Sequence, residues 1–204
     1  MLENNMNNVI LEEYEWDSLW WEQTGDNQTP RVLYIGDSIS DGIRRNAQAA
    51  SGEKILFDRF GTSKALDNPF FIESLRCFSR QQGRRNVIVL NNGLHGWHLD
   101  DVEEYGRYYE EMVRFLLEEY EGTPLVLVLT TSVAGKLNKR VNVRNEIVKG
   151  IAAKYGLPVI DLYAASLKYF SFITADGVHF SEEGYQKLAK EFLNEINKYS
   201  HFLF

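Results

Sequence analysis

Short apolar runs alternate with longer amphipathic stretches along most of the chain. The short runs have the length and composition of strands that are buried on both faces of a sheet. They fall at residues 32–35, 54–58, 86–91, 125–130 and 158–161. The longer stretches repeat apolar residues at the spacing of one helix face. They predict helices near 42–50, 70–82, 100–121, 140–155 and 182–199.

Helices that alternate with strands predict an α/β fold, in which a parallel sheet of five strands is flanked by helices on both faces. Right-handed crossovers then bring the carboxyl ends of all strands to one edge of the sheet. Four polar loops are expected at this edge, around Ser38, around Gly61, at residues 93–95 and at residues 176–179. Open α/β sheets bind their ligands at such an edge, so we expect the functional residues there.

Residues 1–30 precede the first predicted strand and differ in composition from the rest of the chain. Acidic and aromatic residues crowd the part from 11 to 22, with Trp16, Trp20 and Trp21 among them. This composition predicts an extension that packs on the domain as a short helix or an extended arm, and a stacking surface for a sugar is the alternative. Residues 31–204 are predicted to form a single domain, since no linker or repeat interrupts them.

The overall composition is that of an ordinary soluble globular protein, with 44% apolar and 25% charged residues in a chain of 204. A formal net charge of −7 argues against nucleic acid as a partner, because no basic excess is available to neutralise phosphates. Cys77 is the only cysteine, so an intrachain disulfide is impossible. Its apolar neighbours at helical spacing predict that it packs in the core.

No run of residues approaches the ~20 apolar positions of a membrane-spanning helix. Residues 1–8 show neither a basic start nor the apolar centre of a signal peptide. The sequence as written therefore predicts a cytoplasmic protein, or a secreted or periplasmic one if a signal peptide was trimmed.

The turn after the first predicted strand reads Gly36-Asp37-Ser38-Ile39-Ser40. A serine between a strand end and a helix start can point its hydroxyl into the crevice and offer its own N–H to an oxyanion. The alternative is that these polar side chains only cap the helix. The turn does not match G-x-S-x-G, so it is not the nucleophile elbow of the α/β-hydrolases. It matches neither G-x-G-x-x-G nor the P-loop pattern, so it is not a nucleotide-binding motif.

Asp176 and His179 stand three residues apart, just before the last predicted helix. On a tight turn the carboxylate can reach back to the imidazole Nδ1–H and stabilise the imidazolium that forms when the ring takes a proton from Ser38. The structural alternative is that Asp176 caps a turn and His179 packs beneath the helix. The expected position of Ser38 and His179 on one sheet edge favours the catalytic interpretation.

The stretch Gly-Asp-Ser-Ile-Ser-Asp-Gly at 36–42 and the stretch Asp-Gly-Val-His at 176–179 together resemble the two terminal motifs of the SGNH/GDSL hydrolase family. The resemblance extends over about residues 31–199. It implies a three-layer α/β/α, flavodoxin-like domain and a serine esterase or acylhydrolase that needs no cofactor.

The resemblance also implies roles for individual residues. Ser38 corresponds to the nucleophile, His179 to the general base and Asp176 to the carboxylate that orients it. The family's oxyanion hole uses the nucleophile's own N–H, a glycine N–H after the second strand, and an asparagine side chain after the third. Gly61 fits the glycine of this pattern.

The third oxyanion donor departs from the family pattern, because His95 stands where asparagine is expected. A histidine can donate through Nε2–H if its tautomer is held. Asn91 or Asn92 can supply the donor instead if the loop is shifted. Losing one such donor outright typically costs ~10²–10³ in turnover.

Trp97 and His98 are expected to line the substrate pocket. His95 and His98 together with Asp100 and Asp101 also suggest a metal site. The chain has four histidines and no third well-spaced ligand is evident, so we expect no metal.

The leading hypothesis is hydrolysis of a small-molecule ester through an acyl-serine intermediate, with carbohydrate O-acetyl esters as the favoured substrates. The alternative is a non-catalytic protein that binds a glycan or an acylated ligand on the same scaffold, and His95 in place of asparagine motivates it. A metal-dependent hydrolase using His95 and His98 is the third hypothesis, and it predicts that chelators abolish activity.

Overall fold

The computed structural model describes residues 9–199 and contains one mixed sheet flanked by helices. The strands are β1 (Asp17–Trp20), β2 (Arg31–Gly36), β3 (Leu56–Thr62), β4 (Val87–Leu90), β5 (Leu125–Val128) and β6 (Val159–Ile160). The helices are α1 (Ser38–Ser51), α2 (Phe70–Gln82), α3 (Val102–Glu119), α4 (Leu137–Tyr155), α5 (Leu162–Lys168) and α6 (Glu182–Ile196). The strand order is β1-β3-β2-β4-β5-β6, and β1 pairs antiparallel with β3 while the other pairs are parallel.

The parallel part of the sheet has the five strands that the sequence predicts, and β1 adds a sixth at the edge. This strand belongs to the N-terminal extension, and it places Ser18 opposite Gly61 of β3. The expectation of a loop around Gly61 is wrong, since β3 continues to Thr62. The cause is non-local, because this stretch pairs with β2 as far as Gly61 and with β1 of the extension as far as Thr62.

The core consists of two layers, one on each face of the sheet. Alternate residues of β2 point to opposite faces, so Val32 and Tyr34 join one apolar cluster while Leu33 and Ile35 join the other. The first cluster is completed by α1 and α6, and the second by α2 and α3. The result is the three-layer α/β/α arrangement.

Three features of the helices differ from the sequence-based expectation. α1 begins at Ser38 rather than near residue 42, because the Asp37 side chain caps it. α5 has seven residues, too few for apolar periodicity to predict it. Cys77 lies on the exposed side of α2, so the prediction that it packs in the core is wrong. Among residues 9–199, no helix combines the length and the apolar character needed to span a membrane.

The N-terminal extension is fixed to the domain by Arg31 at the start of β2. The Arg31 Nη1 lies 2.8 Å from Asp58 Oδ1 of β3, and both side chains are buried. The same guanidinium donates to the carbonyl oxygens of Glu22, Gln23 and Asp26. The segment that joins β1 to β2 therefore wraps around one buried ion pair.

Gly42 permits the close approach of α1 and α6. A Cβ at this position would overlap the ring of Tyr185. We expect Gly42→Ala to lower the free energy of unfolding by about 1–3 kcal/mol, which is the usual cost of overpacking. Gly150→Ala in α4 is the matched control, since no atom lies within 4 Å of its Cβ position. It should stabilise the protein by roughly 0.5–1 kcal/mol. Urea unfolding measures both, and equal stability of the two variants would contradict the packing argument.

Candidate active site

The turn between β2 and α1 leaves Ser38 free for a role other than capping. Asp37 Oδ1 accepts the N–H groups of Ile39 at 2.9 Å and Ser40 at 3.2 Å, and the Asp37 carbonyl accepts the N–H of Asp41. Ser38 is the first residue of the helix, and its own N–H has no acceptor among residues 9–199. Asp37 is therefore the residue that caps α1, and the Ser38 hydroxyl does not act as a helix cap.

A tight loop before α6 holds the Asp176 carboxylate and the His179 ring together. Asp176 Oδ1 accepts the backbone N–H groups of Val178 at 2.8 Å and His179 at 3.0 Å, and the Thr174 hydroxyl at 2.8 Å. Its Oδ2 lies 2.8 Å from His179 Nδ1. These hydrogen bonds, led by the one from the Val178 N–H, hold the pKa of the Asp176 carboxyl well below its usual range. The carboxylate therefore stays ionised beside the imidazole.

The other nitrogen of the ring meets the serine from the far end of the chain. His179 Nε2 lies 2.8 Å from Ser38 Oγ, across 141 residues of sequence. Asp176, His179 and Ser38 thus form a continuous chain of hydrogen bonds at the carboxyl edge of the sheet. This geometry can transfer the serine proton to the imidazole while a carboxylate balances the new positive charge.

A cavity of about 220 Å³ opens beside this chain of hydrogen bonds. It is lined by Ser38, Leu94, His95, Trp97, Leu137, Asp176, Val178 and His179. Its volume is below the range of drug-sized ligand pockets, which suits a small group beside the serine.

The loop after β4 presents His95 to the cavity and keeps both neighbouring asparagines out of it. The Asn91 amide donates to the Val128 carbonyl and the Thr130 hydroxyl, at 2.9 and 3.1 Å. The Asn92 amide donates to the Lys64 carbonyl at 3.3 Å. Both asparagine side chains are buried. Of the candidate side-chain donors, His95 is the one that shares the cavity with Ser38.

Gly61 lies in the strand beside the nucleophile but is not among the residues that line the cavity. It pairs with Gly36 of β2 on one side and with Ser18 of β1 on the other. A Cβ here would overlap the Arg59 guanidinium, so a larger residue would displace that side chain.

The two expected pocket residues after His95 have different surroundings. Trp97 lines the cavity with an exposed ring, and the Arg140 guanidinium lies 5.1 Å from its centroid. His98 does not line the cavity, and its Nε2 lies 2.7 Å from Asp67 Oδ2. No cluster of three or more potential metal ligands occurs within residues 9–199.

Sequence reasoning missed Arg144 of α4, which shapes the loop that carries His95. Its guanidinium donates to four carbonyl oxygens of that loop, those of Gly93, His95, Gly96 and Leu99. Burial lowers the pKa of Arg144 to about 10. In the sequence, Arg144 is one basic residue of an amphipathic helix, and no pattern indicates that it binds this loop.

Glu12 of the N-terminal extension was missed as well, and it also contacts this loop. Its Oε1 accepts the Gly96 N–H at 2.6 Å and lies 3.6 Å from His95 Nδ1. The contact with Gly96 spans 84 residues, and the acidic surroundings of Glu12 hide it from any local pattern.

Comparison with protein families identifies the class to which this fold and site belong. The model of the GDSL-like Lipase/Acylhydrolase family matches residues 34–187, more than half of the chain. The protein therefore belongs to the GDSL-like lipase/acylhydrolase family, whose members act on esters. This finding confirms the resemblance that the two terminal motifs indicated.

Solved structures show the same fold at low sequence identity. A lipase/acylhydrolase from Enterococcus faecalis is 21% identical, with a TM-score of 0.66 over 84% of this chain and 97% of that one. An acetyl xylan esterase, AlAXEase, is 17% identical, with a TM-score of 0.61 over 80% and 98%. A mutant of an acetyl-xylooligosaccharide esterase from Geobacillus is 18% identical, with a TM-score of 0.59 over 82% and 94%. A search of curated proteins finds no match.

Proposed function

We propose that the protein hydrolyses small acyl esters through an acyl-serine intermediate. The observation that carries the proposal is the chain from Asp176 through His179 to Ser38, with two contacts of 2.8 Å beside an open cavity. Membership of an ester-hydrolysing family supports the same reaction class.

In the proposed mechanism, Ser38 Oγ attacks the ester carbonyl while its proton passes to His179 Nε2. Asp176 keeps a proton on Nδ1 and stabilises the imidazolium. His179 then protonates the leaving alcohol, and an acyl-serine ester remains on Ser38. Water repeats the sequence, with His179 as base, and releases the carboxylic acid.

The tetrahedral oxyanion needs hydrogen-bond donors close to Ser38. The Ser38 N–H is one candidate, because it stands at the start of α1 with no internal acceptor among the described residues. We assign His95 as the side-chain donor, since it lines the cavity while Asn91 and Asn92 bond elsewhere. Gly61 stays a sequence-based prediction for the remaining donor.

We propose further that the acyl group is acetyl and that the alcohol is a carbohydrate. The small cavity supports a short acyl chain. The exposed ring of Trp97 at the cavity can stack on a sugar face. Two structures of similar fold are named as esterases of acetylated xylan or xylooligosaccharides, which supports the proposal by analogy alone.

A non-catalytic binding role is the second candidate, because His95 replaces the family's asparagine. The two functions differ in the reactivity of Ser38. A binding protein has no need of a nucleophilic serine, whereas an acyl-serine enzyme reacts covalently with electrophiles that mimic the acyl transfer.

Hydrolysis of p-nitrophenyl acetate, butyrate and octanoate, with wild type and Ser38→Ala, tests the proposal. We expect activity on acetate above octanoate and a loss on the order of 10⁴-fold or more in the variant. A fluorophosphonate should label wild type at Ser38, as mass spectrometry of the peptide would show. No labelling, with equal rates on p-nitrophenyl and sugar acetates in both proteins, would favour the binding role.

A further inference from the structure

A second cavity lies beside the one that Ser38 and His179 line, which we call the catalytic cavity. The second cavity has a volume of about 290 Å³ and lies between the start of α3 and the first half of α4. This volume is close to the lower end of the range of ligand pockets, so a small group fits in it. The apolar part of its lining can pack against the apolar face of a ligand, and it consists of Leu99, Val102, Tyr105, Val143 and Ile147.

The two cavities share a wall that Trp97 and Arg140 form. Trp97 lines the catalytic cavity, Arg140 lines the second cavity, and the Arg140 guanidinium lies 5.1 Å from the centroid of the Trp97 ring. At the start of α4, Leu137 lines the catalytic cavity and its neighbour Lys136 lines the second. A ligand that leaves the catalytic cavity over the exposed Trp97 ring therefore meets Arg140 and can enter the second cavity.

Basic side chains of α4 and of the residue before it line one side of the second cavity. They are Lys136, Lys139, Arg140 and Arg144. Because these residues are spaced three or four apart, their side chains are neighbours on one face of the helix. The chain as a whole has a net charge of −7, so this face is a local concentration of positive charge in an acidic protein.

Two carboxylates also line the second cavity, and both have partners in the protein. Asp100 Oδ1 lies 3.4 Å from Arg140 Nη1, so this pair is internally balanced. Asp101 caps α3, because its Oδ1 accepts the Glu104 N–H at 2.8 Å. With four basic and two acidic side chains in its lining, the cavity has an excess of positive charge.

The excess charge lies on the groups that have no carboxylate beside them. Lys136 and Lys139 are exposed, and within residues 9–199 no carboxylate oxygen lies within 4 Å of either ammonium group. Arg144 is buried and donates to carbonyl oxygens, which do not neutralise its charge. The two lysines can therefore pair with a negative group of a ligand without losing a partner in the protein.

We propose that the second cavity is a subsite for the alcohol portion of the ester, and that this portion is an oligosaccharide with carboxylate groups, as in chains of uronic acid units. The inference rests on the proposed hydrolysis of carbohydrate acetates and names the class of carbohydrate. One sugar unit stacks on Trp97 beside the catalytic cavity, and the next lies against the apolar lining of the second cavity. Its carboxylate pairs with Lys136 and Lys139, which gives the enzyme a preference for acidic over neutral chains.

Release of acetate from an acetylated oligogalacturonate and from a neutral acetylated xylooligosaccharide of the same length tests the proposal. We expect wild type to have the higher kcat/KM on the acidic chain. The double variant Lys136→Gln, Lys139→Gln should lower the ratio of kcat/KM on the acidic chain to that on the neutral chain by about five- to thirtyfold. The change should lie in KM for the acidic chain, because contacts remote from the ester act alike on substrate and transition state.

The double variant Lys149→Gln, Lys154→Gln is the matched control. It removes two exposed positive charges from the same helix, at positions that do not line the second cavity. The ratio of kcat/KM should stay within about twofold of wild type. Equal ratios in the two double variants, or a wild type without preference for the acidic chain, would overturn the proposal.

Binding of deacetylated oligogalacturonate, measured by titration calorimetry, separates the subsite from the chemistry. We expect wild type to bind this chain, with an affinity that falls as the salt concentration rises and that is lower in Lys136→Gln, Lys139→Gln. Absent hydrolysis and absent fluorophosphonate labelling of wild type would refute the acyl-serine function, while the calorimetry still decides the subsite. Hydrolysis of p-nitrophenyl acetate without binding of the acidic chain would refute the subsite alone.

Discussion

Replacing His179 with alanine is expected to lower kcat/KM on p-nitrophenyl acetate by on the order of 10⁴-fold or more. The ring that lies 2.8 Å from Ser38 Oγ is the group in position to accept the serine proton and to protonate the leaving alcohol. Without it, the serine hydroxyl attacks with its proton attached, and the alcohol leaves as an unprotonated anion. Labelling of Ser38 by a fluorophosphonate should slow in parallel.

His98→Ala is the matched control for the His179→Ala variant. His98 is also paired with an aspartate, at 2.7 Å from Asp67, but it is not among the residues that line the cavity. We expect kcat/KM to change by less than about tenfold. Circular dichroism and thermal unfolding confirm that both variants are folded. Equal losses for His98 and His179 would show that removal of an imidazole disturbs the loops, and that neither ring has a direct role.

The parallel sheet was predictable because its strands are buried on both faces. Runs such as Val87–Leu90 and Leu125–Val128 have no polar residue, and a continuous apolar run of this length carries its own signal. The Ser38 turn and the loop at 176–179 were predictable for a related reason. The Ser38 turn follows β2, and the loop at 176–179 precedes α6, and both of these elements have a distinct apolar pattern. The polar residues of each turn lie within a few positions of one another.

The edge strand and the apolar part of the cavity wall were not predictable, because distant segments determine them. β1 is only four residues long, and it is a strand because β3 pairs with it. Leu137 at the start of α4 and Val178 in the loop before α6 meet in the cavity. The prediction that Cys77 packs in the core failed for a different reason. Its neighbours at helical spacing are apolar, but its own side chain faces solvent.

The contacts of Glu12 show the same limit at the level of chemistry. Nothing in an acidic N-terminal stretch distinguishes a carboxylate that meets His95 from one that faces solvent. Once the pairing of β1 with β3 is known, the approach of residues 12–16 to the loop after β4 follows from geometry. The contact between Glu12 and this loop can therefore be predicted only once the fold of the N-terminal extension is known.

Arg31→Met is expected to lower the free energy of unfolding by about 3–5 kcal/mol, because it leaves the Asp58 carboxylate buried without its partner. Arg31 is 2% exposed and Asp58 is 0% exposed, so water cannot replace the lost charge without opening the structure. The substitution also leaves the carbonyl oxygens of Glu22, Gln23 and Asp26 without their donor. Urea unfolding at pH 7 measures the change.

Arg76→Met is the matched control for this prediction. Arg76 lies 2.9 Å from Glu119, with both side chains partly exposed, and a pair of this kind contributes only about 0–1 kcal/mol. The double variant Arg31→Met, Asp58→Leu removes both buried charges and should recover part of the loss, which separates the unpaired charge from the loss of the carbonyl contacts. Equal stability of Arg31→Met and Arg76→Met would contradict the assignment of the buried pair as the anchor of the extension.

The Arg31→Met variant also tests whether the buried ion pair influences the active site. Arg31 fixes the segment 22–26 next to β1, and the part of the extension that carries Glu12 lies on the other side of β1. If the ion pair anchors the whole extension, Arg31→Met should increase hydrogen exchange at the Trp16 N–H and lower kcat, even under conditions in which the domain is folded. Unchanged exchange at Trp16 would show that pairing with β3 alone holds the strand. The buried pair would then stabilise the domain without influence on His95.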